Sequence, residues 1–285
     1  MNFAVVGGDR RQISLCETLR RHGHGAVLAG TEKLPRTAAP ACAPWRETVS
    51  HADAVILPFP AESCGGTLNA PFAAEPLKTE EVLVCVRPGT LVFGGKLAPN
   101  LVNTAGELGL RVFDYGTREE LAIRNAVPSA EGAIQIAMEQ LDVTIRDTPC
   151  LVIGYGRIGK ALSSMLSSLG ARVAVSARKP GDLAWIRFCG CEPLETGGLA
   201  DHVGRFRAVF NTVPAMIMND ALLEKTDPNA LIVDLASAPG GVDYEAAGRR
   251  GIRAVAALGL PGRVAPESAG IAIAETVLHW LEEGT

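Results

Sequence analysis

Short apolar runs alternate along the chain with longer stretches in which apolar residues return every three or four positions. The first pattern is typical of strands buried on both faces, and the second of amphipathic helices. The clearest example starts with the apolar residues 150–153, continues through a glycine-rich segment at 154–159, and ends with a periodic stretch that stops at Gly170. Another apolar run begins at residue 171. This order predicts a strand, a tight turn, a helix and a second, parallel strand.

The same alternation covers the whole chain and predicts an α/β protein with two doubly wound, parallel-sheet domains. The strands expected in the N-terminal domain lie at residues 2–6, 26–29, 54–57, 91–93 and 111–113. Its helices are expected over residues 9–21, with Asp9 as the N-cap, and 99–108. The C-terminal domain is predicted to be a Rossmann domain, with strands near residues 150, 173, 208, 232 and 254.

Two helices are expected to link the domains. One covers residues 129–142, after Pro128, and the other covers residues 266–285 and has no strand after it. We therefore predict a substrate-side domain of residues 1–127 that is completed by helix 266–285. Residues 128–265 are predicted to form the nucleotide-binding domain, with a cleft between the two.

The composition is typical of a globular protein, and together with the sequence patterns it disfavours nucleic-acid-binding, membrane-spanning, secreted and metal-binding proteins. Of the 285 residues, 47% are hydrophobic and 20% charged, and the net charge of −4 predicts no basic surface for nucleic acid. No apolar run approaches the roughly 20 residues of a membrane span, and the N-terminus has no signal-peptide pattern, so a cytoplasmic protein is expected. The seven cysteines are scattered, as reduced thiols are, and Cys189-Gly190-Cys191 matches no zinc spacing. No metal site is predicted.

The segment Gly154-Tyr155-Gly156-Arg157-Ile158-Gly159 has the spacing of a dinucleotide-binding turn. In such a turn the first glycine permits a tight bend, the second lets backbone N–H groups approach a pyrophosphate, and the third lets the helix pack on the strand. The N-terminus of the helix then faces the phosphates. Because a complete strand–helix–strand unit surrounds the glycines, the segment favours nucleotide binding over a purely structural loop.

The end of the second strand indicates which nucleotide binds. NAD sites place Asp or Glu about 20 residues after the glycines to accept hydrogen bonds from the ribose. Here the chain has Ser176, Arg178 and Lys179 instead. A hydroxyl and two cations suit a 2′-phosphate, so the pattern favours NADP(H). NAD(H), and a basic turn that binds no ligand, stay as alternatives.

Ligands of open α/β sheets bind at the carboxyl ends of the strands, so the other strand-end turns are candidate sites. Further candidates for cofactor contact are Asn211, Thr212 and Pro214 along the nicotinamide ribose, Ala236, and Leu260 and Pro261 in a stiff loop at 259–266. Near the first strand, Gly8 and Arg11 are candidates to hold a carboxylate by helix dipole and guanidinium. At each position the alternative is an ordinary turn.

Taken together, these turns resemble the family of the A subunit of dipicolinate synthase over nearly the whole chain. The resemblance rests on the glycine turn and on Gly7-Gly8-Asp9, Arg11-Gln12, Pro128-Ser129, Glu131-Gly132, Asn211-Thr212 with Pro214, Asp234-Leu235-Ala236-Ser237, Pro239-Gly240-Gly241, Gly259-Leu260-Pro261-Gly262, Val264-Ala265-Pro266 and Ala269-Gly270. Residues 30–105 match least clearly.

The resemblance implies a sporulation enzyme of the mother-cell cytoplasm that oxidises a dihydrodipicolinate ring to dipicolinate, with hydride transfer to NADP. It also implies a second, flavoprotein-like B subunit, and we expect a homo-oligomer. Aromatisation supplies much of the driving force, so the chain needs mainly to orient a ring carbon and accept one proton. Whether the substrate is the dihydro acid or its hydrated tetrahydro precursor stays open.

A small dicarboxylate substrate needs two anion-binding positions. Arg11, with backbone N–H groups near Gly8, is the first candidate for one carboxylate, and Ser129 and Ser237 are candidates for the other. The candidate proton acceptors are three carboxylates that are alternatively purely structural, namely Asp9, Glu131 and Asp234.

Two rival functions are considered. One is a reductase like shikimate or methylene-folate dehydrogenase, suggested by the turn at 211–214 and the two-domain plan. The other is a non-catalytic subunit that only binds a cofactor. Dehydrogenases of 2-hydroxy acids are disfavoured, because none of the five histidines falls in a strand-end turn where it could take the alcohol proton.

Overall fold

The structure is a computed structural model that describes residues 1–35, 42–63 and 65–284. It divides into two compact units, one of Met1–Asn125 with Ala265–Thr285 and the other of Ala126–Val264. Each unit is built around its own parallel sheet. The two doubly wound, parallel-sheet domains predicted from the sequence are confirmed.

The sheet of the first unit consists of β1 (Asn2–Val6), β2 (Gly25–Ala29), β3 (Ala54–Ile56), β4 (Leu91–Gly94) and β5 (Arg111–Asp114). All pairings are parallel, and the order is β2-β1-β3-β4-β5. The helices between them are α1 (Arg11–Arg21), α2 (Trp45–Ser50), α3 (Thr79–Val84) and α4 (Pro99–Glu107). The chain direction across the sheet reverses between β1 and β3, which is where ligands bind in sheets of this order.

Successive side chains of each strand point to opposite faces of the first sheet. Phe3 and Val5 pack with α1 and with the last helix, α11 (Pro266–Glu282), whereas Ala4 and Val6 pack with α2, α3 and α4. Helix α11 lies close against α1, since a Cβ added at Gly270 would fall on the carbonyl oxygen of Arg11. The last helix of the chain is therefore part of the core of the first unit.

A long helix, α5 (Glu119–Gln140), contains the boundary between the units in the sequence. It begins well before the predicted linking helix at 129–142 and carries Pro128 in its interior. The sequence placed the helix start after Pro128 because proline removes a backbone N–H and is most common in the first helical turn. Helical residues on both sides of Pro128 outweigh the loss of that one hydrogen bond.

The sheet of the second unit consists of β6 (Pro149–Ile153), β7 (Arg172–Ala177), β8 (Glu192–Glu195), β9 (Ala208–Asn211), β10 (Leu231–Asp234) and β11 (Arg253–Ala256). Its order, β11-β10-β9-β6-β7-β8, is that of a Rossmann sheet, with the switch point between β6 and β9. The helices are α6 (Arg157–Ser168), α7 (Pro180–Phe188), α8 (Asp220–Glu224), α9 (Tyr244–Arg249) and α10 (Leu260–Val264).

Both faces of the second sheet are covered. Cys150 and Val152 of β6 pack in one apolar cluster with α5 and α6, and Leu151 and Ile153 pack in another with α8 and α9. The four central strands, β6, β7, β9 and β10, are buried on both faces, which explains their nearly continuous apolar sequences. The helices thus leave the carboxyl ends of the strands as the place where polar loops gather.

Two further predicted elements differ from the structure. Helix α1 begins at Arg11 instead of residue 9, because the carboxylate of Asp9 accepts the N–H of Arg11 at 3.0 Å in the turn before the helix. Residues 259–266, predicted as a stiff loop, contain α10 and the start of α11. Prolines 261 and 266 occupy early helical positions, where a missing N–H leaves no hydrogen bond unmade.

Six cysteines lie within the described residues, and all are free thiols; Cys64 lies outside them. Burial raises the pKa of the Cys16 and Cys150 thiols to about 12. These two thiols therefore stay protonated at neutral pH. In the part of the chain that the structure describes, no helix is both long enough and apolar enough to cross a bilayer.

Candidate functional site

The second unit has a cavity of about 620 Å³ at the carboxyl ends of β6, β7 and β9. This is the switch point of the Rossmann sheet, where dinucleotides bind in that fold. The lining residues come from loops after several strands: Gly154, Tyr155, Gly156, Ser176, Ala177, Arg178, Lys179, Asp182, Thr196, Thr212, Val213, Pro214, Ala215 and Ile217. The structure therefore brings together predicted cofactor-binding residues from three separate turns.

The three glycines of the 154–159 turn are required for different reasons. Gly154 has a φ of +98°, and a Cβ there would lie 2.6 Å from Oγ1 of Thr212. A Cβ at Gly159 would fall on the carbonyl oxygen of Gly154, so α6 could not pack on β6. A Cβ at Gly156 would meet no atom within 4 Å, and this residue lines the cavity at the N-terminus of α6. Gly156 therefore leaves open the space that a pyrophosphate fills in such sites.

The other residues of the turn have mixed roles. Tyr155 lines the cavity, and its hydroxyl donates a hydrogen bond to Sγ of Cys189 at 3.7 Å. Burial and this hydrogen bond raise the pKa of Tyr155 to about 12. Arg157 is exposed at the start of α6, whereas Ile158 packs against the apolar core of the unit. Ile158 therefore helps to fix the helix on the sheet, and its contact with the cofactor stays a prediction.

The end of β7 gives the cavity its positive charge and one unusual hydroxyl. Ser176 is fully buried, and its Oγ has no hydrogen-bond partner among the described residues. A buried polar group without a partner costs about 1–3 kcal/mol, which a ligand that bonds to it would recover. Arg178 and Lys179 are exposed and form no ion pair with any described residue. These groups fit the phosphate-bearing ribose of a dinucleotide.

Two polar lining residues were missed by the sequence reasoning. Asp182 lies in the first turn of α7, and Thr196 follows β8. Asp182 could have been found, because it follows Arg178 in the same strand-end segment. Thr196 could not, because β8 was not predicted as a strand. Asp182 brings to the cavity the type of side chain that NAD sites use for the ribose hydroxyls.

The turn after β9 contributes only part of what was predicted. Thr212 and Pro214 line the cavity, and the Thr212 hydroxyl donates to the carbonyl oxygen of Ile153 at 2.9 Å. Asn211 is completely buried, and its Nδ2 donates to the carbonyl oxygen of Val213 and to Oδ1 of Asp234. Both of these hydrogen bonds are internal to the unit, and the predicted contact of Asn211 with the cofactor stays a prediction.

The turn after β10 is likewise more internal than predicted. Asp234 is 2% exposed, and its carboxylate accepts hydrogen bonds from Asn211, Ala236, Gly241 and Tyr244. In this arrangement all four donors to the carboxylate of Asp234 come from its own unit, so we do not retain the predicted role of proton acceptor for it. Ala236 is also buried, whereas Ser237 is exposed at the end of the turn.

Leu260 and Pro261 were predicted at the nicotinamide, but neither lines the cavity. Leu260 is buried in the apolar core, where a Cβ added at Gly132 of α5 would lie 3.0 Å from its side chain. The reason is the short helix α10, which turns Leu260 toward α5. The close approach of Leu260 explains why position 132 carries glycine.

The first unit has its own polar cluster at the switch point after β1. Arg11, only 7% exposed, donates from Nε and Nη2 to the carboxylate of Asp9 at 2.8 and 2.9 Å, and from Nη2 to the carbonyl oxygen of Phe59 at 2.6 Å. Gly8 has a φ of +81° and lies against the amide of Gln12. The carboxylate of Asp9 is thus an internal partner of Arg11, and the substrate roles of both residues stay predictions.

The remaining candidates lie on α5. Ser129 is buried within the helix. Glu131 is exposed in a groove lined by α5 and α6, together with Met138 and Leu169, and is not among the residues of the nucleotide cavity. The structure thus does not bring Glu131 to the nucleotide cavity.

Fold and cavity together define a class of protein. A parallel sheet in the Rossmann order, with a glycine turn at its switch point and a second doubly wound unit in the same chain, is the architecture of two-domain nucleotide-dependent dehydrogenases.

Similarity to known proteins narrows this class. A profile of the N-terminal domain of the A subunit of dipicolinate synthase matches residues 2–116. The A subunit of dipicolinate synthase from Bacillus subtilis (strain 168) is 34% identical over 99% of this chain and 96% of that protein. The crystal structure of the corresponding protein from Bacillus halodurans has a TM-score of 0.89 and 30% identity, covering 98% of this chain and 97% of that one. The chain belongs to the family of the A subunit of dipicolinate synthase, which confirms the resemblance found in the sequence.

The fold is shared more widely than the family. L-alanine dehydrogenase has a TM-score of 0.66 at 15% identity, covering 97% of this chain and 88% of that one. At this identity the likeness shows the fold alone, and it supports a dehydrogenase-type architecture.

Proposed function

We propose that the chain binds NADP(H) in the cavity of its second unit and oxidises a dihydrodipicolinate ring to dipicolinate. The observation that supports the cofactor is the end of β7, where a buried hydroxyl and two cations, all without a partner among the described residues, line the cavity. Family membership supports the substrate class. The reaction balances as dihydrodipicolinate and NADP⁺ giving dipicolinate, NADPH and a proton. The bound nucleotide supplies the hydride acceptor.

Different residues of the cavity bind different parts of the nucleotide. Arg178 and Lys179 bind the 2′-phosphate, Arg178 by its planar fork and Lys179 as a point charge, and Ser176 donates its hydroxyl from below. Gly156 and the N-terminus of α6 receive the pyrophosphate. Thr212 and Pro214, after β9, form the wall at the nicotinamide end.

NAD(H) is the second candidate cofactor, and Asp182 is the observation that favours it. This carboxylate lines the same cavity as Arg178 and would accept hydrogen bonds from an unphosphorylated ribose. A 2′-phosphate beside Asp182 would meet like charge. The preference for one nucleotide therefore depends on which interaction with the ribose is stronger: the attraction of Arg178 and Lys179 for a 2′-phosphate, or the hydrogen bonds of Asp182 with a 2′-hydroxyl.

The substrate side of the proposal rests on the family and on candidate residues from each of the two units. Gly8, Arg11, Ser129 and Ser237 stay our candidates for the two carboxylates, and Asp9 and Glu131 stay candidates for the proton. A flavoprotein-like B subunit is the proposed partner, within the mother-cell cytoplasm of a sporulating bacterium, and self-association of this chain is proposed as well.

A titration of the native chain and three variants with NADPH and NADH tests the cofactor. Arg178→Ala should weaken NADPH binding by about 1–3 kcal/mol and spare NADH, the scale for a charge-assisted hydrogen bond. Asp182→Asn should strengthen NADPH and weaken NADH. Arg187 is an exposed arginine of α7 that does not line the cavity, so Arg187→Ala is the matched control and should change the affinity for neither nucleotide. Equal loss of both nucleotides in Arg178→Ala would contradict the 2′-phosphate site.

A turnover assay tests the reaction itself. Freshly made dihydrodipicolinate with NADP⁺ should yield the ultraviolet absorbance of the pyridine product with the isolated chain. Turnover only after the B subunit is added would favour the non-catalytic, cofactor-binding alternative. Reduction of dehydroshikimate or of a methylene-folate by the isolated chain, without dipicolinate formation, would favour the rival reductases.

A further inference from the structure

The side chain of Asp234 is buried, and no cation among the described residues pairs with it. Its carboxylate accepts hydrogen bonds from Nδ2 of Asn211 at 2.8 Å, the N–H groups of Ala236 and Gly241 at 3.1 and 3.2 Å, and the hydroxyl of Tyr244 at 3.1 Å. No described Lys, Arg or His forms an ion pair with it. Its partners among the described residues are therefore all hydrogen-bond donors without a formal charge.

Two of these donors, Asn211 and Gly241, hold the two ends of the segment 212–217, of which five residues line the nucleotide cavity. At its start, Asn211 binds the backbone of Val213 through both its amide atoms, at 3.0 and 3.2 Å. At its end, the carbonyl oxygen of Gly241 accepts the N–H groups of Ile217 and Met218 at 3.2 and 2.9 Å. Asn211 and Gly241 are also two of the four donors to Asp234.

We propose that Asp234 and Tyr244 are positioning residues for the nucleotide: through Asn211 and Gly241 they hold the 212–217 segment in the shape that receives the nicotinamide half. This inference rests on the proposed function of the second unit. The segment follows β9, on the opposite side of the glycine turn from Arg178 and Lys179 after β7. Asp234 and Tyr244 therefore act on one end of the ligand and leave the adenosine end unaffected.

The chemical nature of the side chains at positions 234 and 244 supports this positioning role. Four donors converge on the side chain at 234, and a carboxylate accepts all of them, whereas an amide would replace one acceptor with a donor. Tyr244 is 41% exposed at the start of α9, so its ring contributes little to the core. What it adds to the network is its hydroxyl. Burial and the neighbouring Asp234 raise the pKa of Tyr244 to about 12, which keeps this hydroxyl a donor at any physiological pH.

The test compares two ligands on the full chain. Tyr244→Phe removes one donor and keeps the ring. It should raise the dissociation constant for NADPH about tenfold, the scale of one hydrogen bond to a charged group, and leave that for 2′,5′-ADP unchanged. Arg178→Ala should weaken both ligands, because 2′,5′-ADP carries the 2′-phosphate. The ratio of the two constants is a readout that a general loss of stability would not move.

A matched control separates positioning from stability. Asp243, the neighbour of Tyr244, caps α9 by accepting the N–H of Ala246 at 2.9 Å. Asp243→Ala should lower the thermal midpoint and leave both dissociation constants unchanged. Unchanged NADPH binding in a folded Tyr244→Phe variant, or equal weakening of both ligands, would overturn the inference. A native chain that binds neither ligand would overturn the proposed function, and this inference with it.

Discussion

Substitution of Gly156 by alanine separates the nucleotide site from the fold. Gly156 has an ordinary φ of −82°, and the added methyl group would meet no atom within 4 Å, so the free energy of unfolding should not fall. The methyl group would, however, project into the space at the N-terminus of α6. A bound pyrophosphate would then be displaced or strained, and overpacking of this kind costs about 1–3 kcal/mol. We therefore expect NADPH binding to weaken by about 5- to 150-fold at an unchanged thermal midpoint.

Gly159→Ala is the counterpart in the same turn and should show the opposite behaviour. Its methyl group would fall on the carbonyl oxygen of Gly154, which is backbone and cannot rotate away. A loss of about 1–3 kcal/mol in stability is expected, which corresponds to a fall of about 2–12 °C in the thermal midpoint. Circular dichroism melts and fluorescence titration with NADPH measure the two effects on the same samples. If Gly156→Ala bound NADPH like the native chain, the pyrophosphate would not lie on this turn, and the placement of the nucleotide would be refuted.

Two other substitutions test the packing and charge of the first unit. Gly270→Ala should lower the free energy of unfolding by about 1–3 kcal/mol, because the methyl group would push α11 away from α1; Gly106→Ala in α4, which meets no atom within 4 Å, is the control and should not destabilise the chain in urea melts. Hydrogen bonds from Arg118 hold the pKa of the Glu120 and Glu283 carboxyls below their usual range, so their stabilising effect is present above the unfolded pKa and is lost as pH falls through the lower folded values. The thermal midpoints of the native chain and Arg118→Met should therefore differ at pH 7 and converge in acid; a constant difference at every pH would show that Arg118 acts only by packing.

The sequence predicted the fold well because the signals for buried strands and amphipathic helices are local. The exceptions have particular causes. Strand β8 has the sequence Glu-Pro-Leu-Glu, and of its residues only Leu194 is buried, so no apolar run marked it. The predicted start of helix α5 is too late because proline is most common in the first helical turn, which favours a helix that begins next to Pro128. In both cases tertiary packing decided the outcome against the local pattern.

The site was predicted less evenly, and the reason lies in side-chain direction. The rule that ligands bind at the carboxyl ends of strands placed Arg178, Thr212, Asn211 and Asp234 correctly near one edge of the sheet. It could not say which of these side chains face the cavity and which face each other. Asn211 and Asp234 are 23 residues apart in the sequence, and their hydrogen bond exists only because β9 and β10 are neighbours.

The polar residues at these strand ends fall into two groups. Some have hydrogen-bond partners within their own unit, and one has a buried hydroxyl with no partner among the described residues. Asn211 and Asp234 in the second unit, and Asp9 with Arg11 in the first, recover the cost of burial through hydrogen bonds within their own unit. The hydroxyl of Ser176 is buried and has no hydrogen-bond partner among the described residues. The cost of its burial is therefore offset only when a ligand or a water molecule bonds to it. At the nucleotide cavity the unpartnered hydroxyl stands beside two cations that also have no partner among the described residues, and the three groups together support a ligand there. The lack of a hydrogen-bond partner cannot be predicted from the spacing of residues in the sequence, because it depends on which atoms the neighbouring strands and loops place around the hydroxyl.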